Sequence, residues 1–327
     1  MIQGETSETL LQVKNLSVEY VTTEGAAKAV NDVSLDLRKG ETLGIVGESG
    51  SGKTTLGLAL MGILPPNARR SGGTVTFGSS ELTTLKEDKL RAVRGKRIAM
   101  IFQDPMTSLN PVKKIGDHFV EYFRAHEQET SREEALSKTT EVLRGLGISA
   151  ERLNDYPHQF SGGMRQRVMI GLALALNPEL IIADEPTTAL DVIVEAQILE
   201  LLKILKRKYS LSLILITHNM GIVAETADRV AVMYAGKIAE IGPALEVFGS
   251  PKHPYTQALL QSIPTVEGER RTLKVIPGFP PRLTEQPPGC SFHPRCPYAF
   301  DRCKVEDPVL IPTSAEGKAA CHLLEKK

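Results

Sequence analysis

No run of about 18 apolar residues occurs in this chain, so no membrane-spanning helix is expected. Excess charge is missing as well. The 39 Lys+Arg balance 39 Asp+Glu, and no bulk attraction to nucleic acid or anionic lipid follows. The opening residues Met1-Ile2-Gln3-Gly4-Glu5-Thr6 lack the basic and apolar regions of a signal peptide, and a cytoplasmic protein is expected. No internal repeat is visible. Cysteine is scarce and confined to the C-terminal end, at Cys290, Cys296, Cys303 and Cys321. In a reducing compartment such a cluster suggests a metal more than disulfides.

What is present is ordinary for a globular protein: 327 residues, 41% hydrophobic and 24% charged. That length suits one large domain or two smaller ones and can bury a sizeable core. Residues 10–20 partly alternate and read as a strand, and Val30 to Leu37 reads as another. Leu43-Gly44-Ile45-Val46 is a short apolar run suited to a buried parallel strand. A helical pattern follows through Leu56, Leu58, Ala59, Leu60 and Met61. Ile98 to Phe102 is a further strand, and from about 105 to 165 the pattern turns helical. There Ser131 and Glu134 predict a capping box, and Gly145 and Gly147 break the helix. Leu180 to Ala183 and Leu213 to Ile216 are buried strands flanking Val194, Ile198, Leu201, Leu202 and Leu205 at helical spacing. That order predicts a βαβ unit and a parallel sheet. Val230 to Ile241 reads as a hairpin around Ala235-Gly236. From about 250 prolines cluster, including Pro251, Pro254, Pro264 and Pro277, and a loop-rich appendage outside the sheet is expected.

Gly47-Glu48-Ser49-Gly50-Ser51-Gly52-Lys53-Thr54 fits G-x-x-x-x-G-K-S/T, between an apparent strand and a helix. The glycines let backbone N–H groups turn onto phosphate oxygens. Lys53 carries the charge for the β/γ-phosphates, Thr54 offers a hydroxyl to Mg²⁺, and Thr55 follows within the same turn. The helix start adds its positive end. These residues predict binding and hydrolysis of a nucleoside triphosphate. Asp184 and Glu185 end the apolar strand from Leu180. Asp184 is the candidate for Mg²⁺ and Glu185 for the general base toward water; a solvated strand end is the bland alternative.

Gln103, then Ser161-Gly162-Gly163, Asp184-Glu185, Ala189-Leu190-Asp191 and Thr217-His218 follow the phosphate loop in order. Over residues 10–250 this series resembles the nucleotide-binding subunit of ABC transporters. The resemblance implies a RecA-like P-loop core, an N-terminal antiparallel β subdomain and a helical subdomain at about 105–168. It also implies roles. Tyr20 would stack on adenine, Gln103 would contact Mg²⁺ and water and link to membrane subunits, and Ser161, Gly162 and Gly163 would cap the γ-phosphate held by an opposite subunit. Asp191 would communicate across that dimer, and His218 would contact the γ-phosphate. The signature departs from the family's commonest form, with Phe160 before the serine and Met164-Arg165-Gln166 after the glycines. That variant is similar to the oligopeptide and dipeptide importers. So are Phe102-Gln103-Asp104-Pro105-Met106-Thr107-Ser108-Leu109-Asn110-Pro111 and His253-Pro254-Tyr255-Thr256-Gln257-Ala258-Leu259-Leu260.

The cysteine spacing, C-x5-C-x6-C-x17-C, matches neither common zinc sites nor ferredoxin patterns, and leaves metal and unligated thiols equally open. Gly289-Cys290, Pro294-Arg295-Cys296-Pro297, Asp301-Arg302-Cys303 and Ala320-Cys321-His322 resemble the tail of peptide-importer ATPases. Some of these hold a 4Fe–4S cluster there, so the resemblance implies such a cluster, with Zn²⁺ as the alternative. It further implies an ABC ATPase domain at 1–250 and a C-terminal domain at 251–327. The expected partners are two transmembrane permease subunits, a second ABC ATPase subunit and, indirectly, an extracytoplasmic peptide-binding protein, without nucleic acid. The chain would lie peripherally on the cytoplasmic face of the membrane. A nickel or other small-solute importer, and a soluble ABC ATPase in iron–sulfur assembly, are the alternatives.

Overall fold

Strand β1 (Thr9–Thr22) opens the computed structural model, which describes residues 8–104, 108–188, 190–262 and 276–325. Met1 to Thr6, Pro105, Met106, Thr107, Ala189 and Pro264, quoted above, lie outside the described residues. The chain divides into two compact units. One contains residues 1–84 and 215–327; the other contains residues 85–214.

The first unit begins with β1, β2 (Gly25–Arg38), β3 (Thr42–Val46), α1 (Lys53–Met61), β4 (Ala68–Phe77) and β5 (Ser80–Glu81). Strands β2, β1, β4 and β5 form a four-stranded sheet, with β1 antiparallel to both β2 and β4. Leu11, Val13, Leu16 and Val18 bury one side of β1. A bulge shifts their register between Val13 and Leu16, so the alternation in the sequence is only partial. Asn15 and Asp32 take left-handed backbone there, and Asn15 Nδ2 donates to Asp32 Oδ1 at 2.8 Å. All five residues of β3 are buried, the pattern of a strand covered on both faces.

The second unit carries α2 (Glu87–Val93), β6 (Ile98–Ile101), α3 (Ile115–His126), α4 (Arg132–Gly145), α5 (Gly162–Leu174), β7 (Leu180–Asp184) and α6 (Val192–Tyr209). Strands β6 and β7 run parallel, with Ile98 facing Leu180. Ile115, Phe119 and Phe123 recur along α3 and are buried, as are Ala135, Thr139 and Leu143 along α4. Half of the expected capping box forms. Ser131 Oγ accepts the Glu134 N–H at 3.1 Å, while the Glu134 carboxylate pairs forward with Lys138 at 3.0 Å. An i,i+4 cation competes for that carboxylate and wins.

Through β8 (Ser212–Thr217) the chain passes from the second unit back to the first. Helix α7 (Met220–Thr226), β9 (Arg229–Tyr234), β10 (Lys237–Pro243), α8 (Ala244–Gly249), α9 (Pro254–Gln261), α10 (Asp301–Val305), β11 (Ile311–Pro312) and β12 (Lys318–Ala319) complete it. Strand β3 runs parallel to β9. The β9–β10 hairpin turns at Ala235 (φ 46°) and Gly236 (φ 82°), two positive angles matched to strand twist.

The tail corrects one expectation. It is not merely an appendage outside the sheet: β12 pairs antiparallel with β10, Glu240 opposite Ala319, and β11 pairs with β12. Strands of two residues are too short to show alternation, so proline content dominated the sequence pattern. Among the described residues no helix is long and apolar enough to cross a membrane.

Candidate functional site

The phosphate loop joins β3 to α1, as its spacing predicts. Two of its glycines are obligatory. A Cβ on Gly47 (φ 154°) would lie 2.2 Å from Met233 O, and one on Gly52 (φ 99°) would lie 2.0 Å from Ala29 O. Backbone oxygens cannot yield, so the loop is pressed onto neighbouring strands where only glycine fits. Gly236 N donates to Ser51 O at 2.9 Å and pins the loop from the hairpin turn. Helix α1 has no acidic residue in its first turn, which leaves its N-terminal N–H groups and dipole suited to an anion.

Lys53 is 6% exposed, and its ammonium donates to Gly47 O at 2.8 Å and Glu48 O at 3.0 Å. Its charge is therefore held in the curl of the loop by the carbonyls of that loop. Thr54 is exposed and Thr55 is buried. The hydroxyls of Thr55 and Tyr20 are hydrogen-bonded at 3.2 Å, which fixes the half-buried Tyr20 beside the start of α1. His218 follows β8 and is exposed; Thr217 Oγ accepts the Asn219 N–H, and Asn219 caps α7.

Glu48 gathers three contacts that motif reading missed. Its N–H donates to the hydroxyl of Tyr255 at 2.9 Å. Its carboxylate accepts both ends of the Arg295 guanidinium, at 2.6 and 2.9 Å. Its carbonyl accepts from Lys53. Glu48 and Arg295 stand 247 positions apart, and no local pattern could pair them.

In the second unit, β7 delivers Asp184 at 2% exposure. The next residue, Glu185, has φ 49°, a left-handed conformation rare for a side-chain-bearing residue and concentrated at functional positions. Its carboxylate accepts from Thr188 Oγ at 2.6 Å. Gln103 follows β6 and is exposed. Ser161 caps α5 by accepting the Met164 N–H, and Asp191 caps α6 by accepting from Ile193 and Val194. These two helix starts meet. A Cβ on Gly163 would lie 2.5 Å from Val194 Cγ1, and one on Gly162 would lie 3.4 Å from Leu190. Thus Ser161, Gly162, Gly163 and Asp191 belong to one paired helix entrance.

The four cysteines are free and line one small cavity with His253, Phe292, Tyr298 and His322. Burial pushes the Cys290 thiol up to about 11 and raises Cys296 and Cys321 as well, so without a cation these thiols are neutral. The donor set suits a thiolate-bound group. The arrangement does not: among the described residues no three His, Cys, Asp or Glu side chains are grouped to hold a metal ion. The expectation of a metal or cluster domain therefore has no preformed site behind it.

A glycine loop between a buried strand and a helix, with a buried lysine curled inside it, defines a P-loop nucleotide-binding protein. Comparison with known proteins places it further. Residues 30–188 match the ABC transporter family, and residues 239–303 match the oligopeptide/dipeptide transporter C-terminal region. The chain is 48% identical to the oligopeptide transport ATP-binding protein OppD of Escherichia coli (strain K12), over 93% of this chain and 90% of that protein. It is 50% identical to the dipeptide transport ATP-binding protein DppD of Bacillus subtilis (strain 168), over 98% of this chain and 96% of that protein. Among solved structures it resembles the ATP-binding cassette MJ0796 in a dimeric post-hydrolysis state bound to ADP and Pi. That likeness has a TM-score of 0.65 at 28% identity, covering 72% of this chain and 99% of that one. The chain belongs to the ABC transporter ATP-binding proteins, in the branch with the oligopeptide/dipeptide C-terminal region.

Proposed function

We propose that this chain is an ATP-hydrolysing subunit that energises import of oligopeptides or dipeptides. The observation that carries the proposal is the union, in one chain, of the loop around Lys53 and the transporter C-terminal region. The relatives named above are oligopeptide and dipeptide transport ATP-binding proteins across nearly their whole length.

Each residue has a role in this reading. The loop N–H groups and Lys53 bind the β- and γ-phosphates, with Tyr20 against the base. Thr54, Gln103 and Asp184 would hold Mg²⁺, which supplies charge neutralisation at the phosphates when bound. Glu185 accepts the proton of the attacking water, and His218 orients the γ-phosphate. Ser161, Gly162 and Gly163 present a helix N-terminus to the nucleotide of a facing ATPase subunit, beside Asp191. Two transmembrane permease subunits and, indirectly, an extracytoplasmic peptide-binding protein complete the assembly, with this chain lying peripherally on the cytoplasmic face of the membrane. Within the chain, 1–250 is the ATPase domain and 251–327 the transporter-specific domain. The finer reading for the tail is a 4Fe–4S cluster on Cys290, Cys296, Cys303 and Cys321, with Zn²⁺ as its alternative; the support is that all four line one cavity, although they would have to draw closer together to ligate a common group.

The test is reconstitution with two permease subunits, a second ATPase subunit and a peptide-binding protein in vesicles. Short peptides should enter with ATP consumption, and Glu185→Gln should abolish both while retaining ATP binding. ATP hydrolysis that responds to nickel and not to peptides would overturn the peptide assignment.

A further inference from the structure

We infer that Arg295, from the cysteine-bearing tail, is a positioning residue for the phosphate loop and sets the affinity for ATP through Glu48. The inference rests on the ATP-hydrolysing reading and adds a determinant that no phosphate-loop motif contains.

Four hydrogen bonds tie down the guanidinium of Arg295, through all three of its nitrogens. Nε donates to Pro277 O at 2.9 Å. Nη1 donates to Glu48 Oε2 at 2.6 Å and to Tyr234 OH at 3.3 Å, and Nη2 donates to Glu48 Oε1 at 2.9 Å. The two parallel bonds to one carboxylate constrain its orientation as well as its distance. Arg295 has a side chain only 5% exposed, against 26% for Glu48. An arginine so buried depends on its carboxylate, because removing either partner strands the other's charge.

The backbone of Glu48 is tied to the same surface. Tyr255 is fully buried, and its hydroxyl accepts the Glu48 N–H. The Tyr255 ring packs with Tyr234 and Phe292 at centroid distances of 4.6 and 5.4 Å. Phe292 and Arg295 lie within the segment between Cys290 and Cys296, so one short piece of tail supplies both a ring of this cluster, beside Tyr234 of β9, and the cation of the ion pair. Glu48 is thus held through its N–H and carboxylate, while its carbonyl receives Lys53. The tail fixes the residue that shapes the curl around the lysine.

The consequence is a specific kinetic split. A loop freed from Arg295 samples more conformations, and apparent affinity falls by the fraction that remains binding-competent. Bound phosphates then reimpose the loop shape, so the rate at saturation is spared.

The experiment measures steady-state ATPase kinetics and binding of a fluorescent ATP analogue for the wild type, Arg295→Gln, Glu48→Gln and the swapped pair Glu48→Arg/Arg295→Glu. Glu316→Gln, which breaks a different ion pair of the tail with Arg38, is the control. Arg295→Gln should raise KM and analogue Kd by roughly tenfold, with kcat within about twofold of wild type. The swapped pair should recover part of the affinity, and Glu316→Gln should match wild type. If Arg295→Gln does not fold, Glu48→Gln probes the same bond from its other end. Unchanged KM in whichever variant folds, or equal loss in Glu316→Gln, would overturn the inference. A wild type that binds the analogue yet never hydrolyses ATP would instead overturn the function on which it rests.

Discussion

Thr188 donates its hydroxyl to the carboxylate of Glu185 at 2.6 Å, one turn beyond the end of β7. Glu185 itself holds a left-handed backbone at φ 49°. Its carboxylate is therefore held by backbone and partner together, which suits the general-base role proposed for it. Glu185→Gln should keep nucleotide binding and lower turnover by roughly 10²–10⁴-fold, the range for removing a positioned base. Thr188→Val should lower turnover by about tenfold, since one orienting hydrogen bond to a charged group contributes on the order of 1.5 kcal/mol. Single-turnover hydrolysis with bound nucleotide measured separately checks both. Full turnover in Glu185→Gln would exclude it as the base.

Much of this site is legible in sequence because phosphate binding is local chemistry. The span Gly47–Thr54 encodes its own turn, its cation and the start of its helix, and β3 and α1 flank it as expected. Asp184 and Glu185 were visible because an apolar strand ends on them. What stayed hidden depends on distant parts of the chain. Strand β4 carries Arg69, Arg70, Gly72 and Gly73, has no clear alternation, and exists through pairing with β1. Arg295 was legible only as a neighbour of Cys296; its partner lies at the other end of the unit. The cysteine tail is the opposite case, where a resemblance implied more than the side-chain arrangement supplies.

Gly163 offers a packing test within the signature. A methyl group added there would meet Val194 Cγ1 at 2.5 Å, and a β-branched side chain on a helix has little rotameric freedom to retreat. Gly163→Ala should destabilise the chain by about 1–3 kcal/mol, the usual cost of overpacking. Val194→Ala should restore most of that loss when combined with it, which urea denaturation of the single and double variants would measure. Equal stability of Gly163→Ala and wild type would show that the two helix entrances pack more loosely than their geometry implies.

His253 predicts a pH dependence of stability. It is 3% exposed, its Nδ1 accepts the Tyr255 N–H at 3.0 Å, and burial lowers its pKa from 6.5 to about 4. Below pH 6.5 the unfolded chain takes a proton here that the folded chain refuses. The unfolded state then binds more protons, so stability falls as pH drops from 6.5 toward 4. The contribution reaches about 3 kcal/mol at the lower end of that window and is absent above it. His253→Asn keeps a capping acceptor for α9 without a titrating ring. It should flatten the pH profile of urea-denaturation free energy between about 4 and 6.5 relative to wild type. An unchanged slope would mean that the ring titrates over the same pH range in the folded and the unfolded chain.

The tail cysteines decide between a bound group and a small thiol-lined core. As neutral thiols, Cys290, Cys296 and Cys321 resist deprotonation because burial disfavours the thiolate. A cationic iron or zinc centre reverses that preference, and its binding would release protons and couple to folding of the tail. Protein purified without oxygen should then contain iron and acid-labile sulfide, with broad visible absorption that bleaches on reduction. Replacing any one cysteine by serine should diminish all three together and lower the melting temperature. If zinc occupies the site, metal analysis should find it in place of iron, with no colour, and chelation should destabilise the tail. Protein with neither metal, and serine variants as stable as wild type, would leave the four cysteines as core residues around His253 and His322.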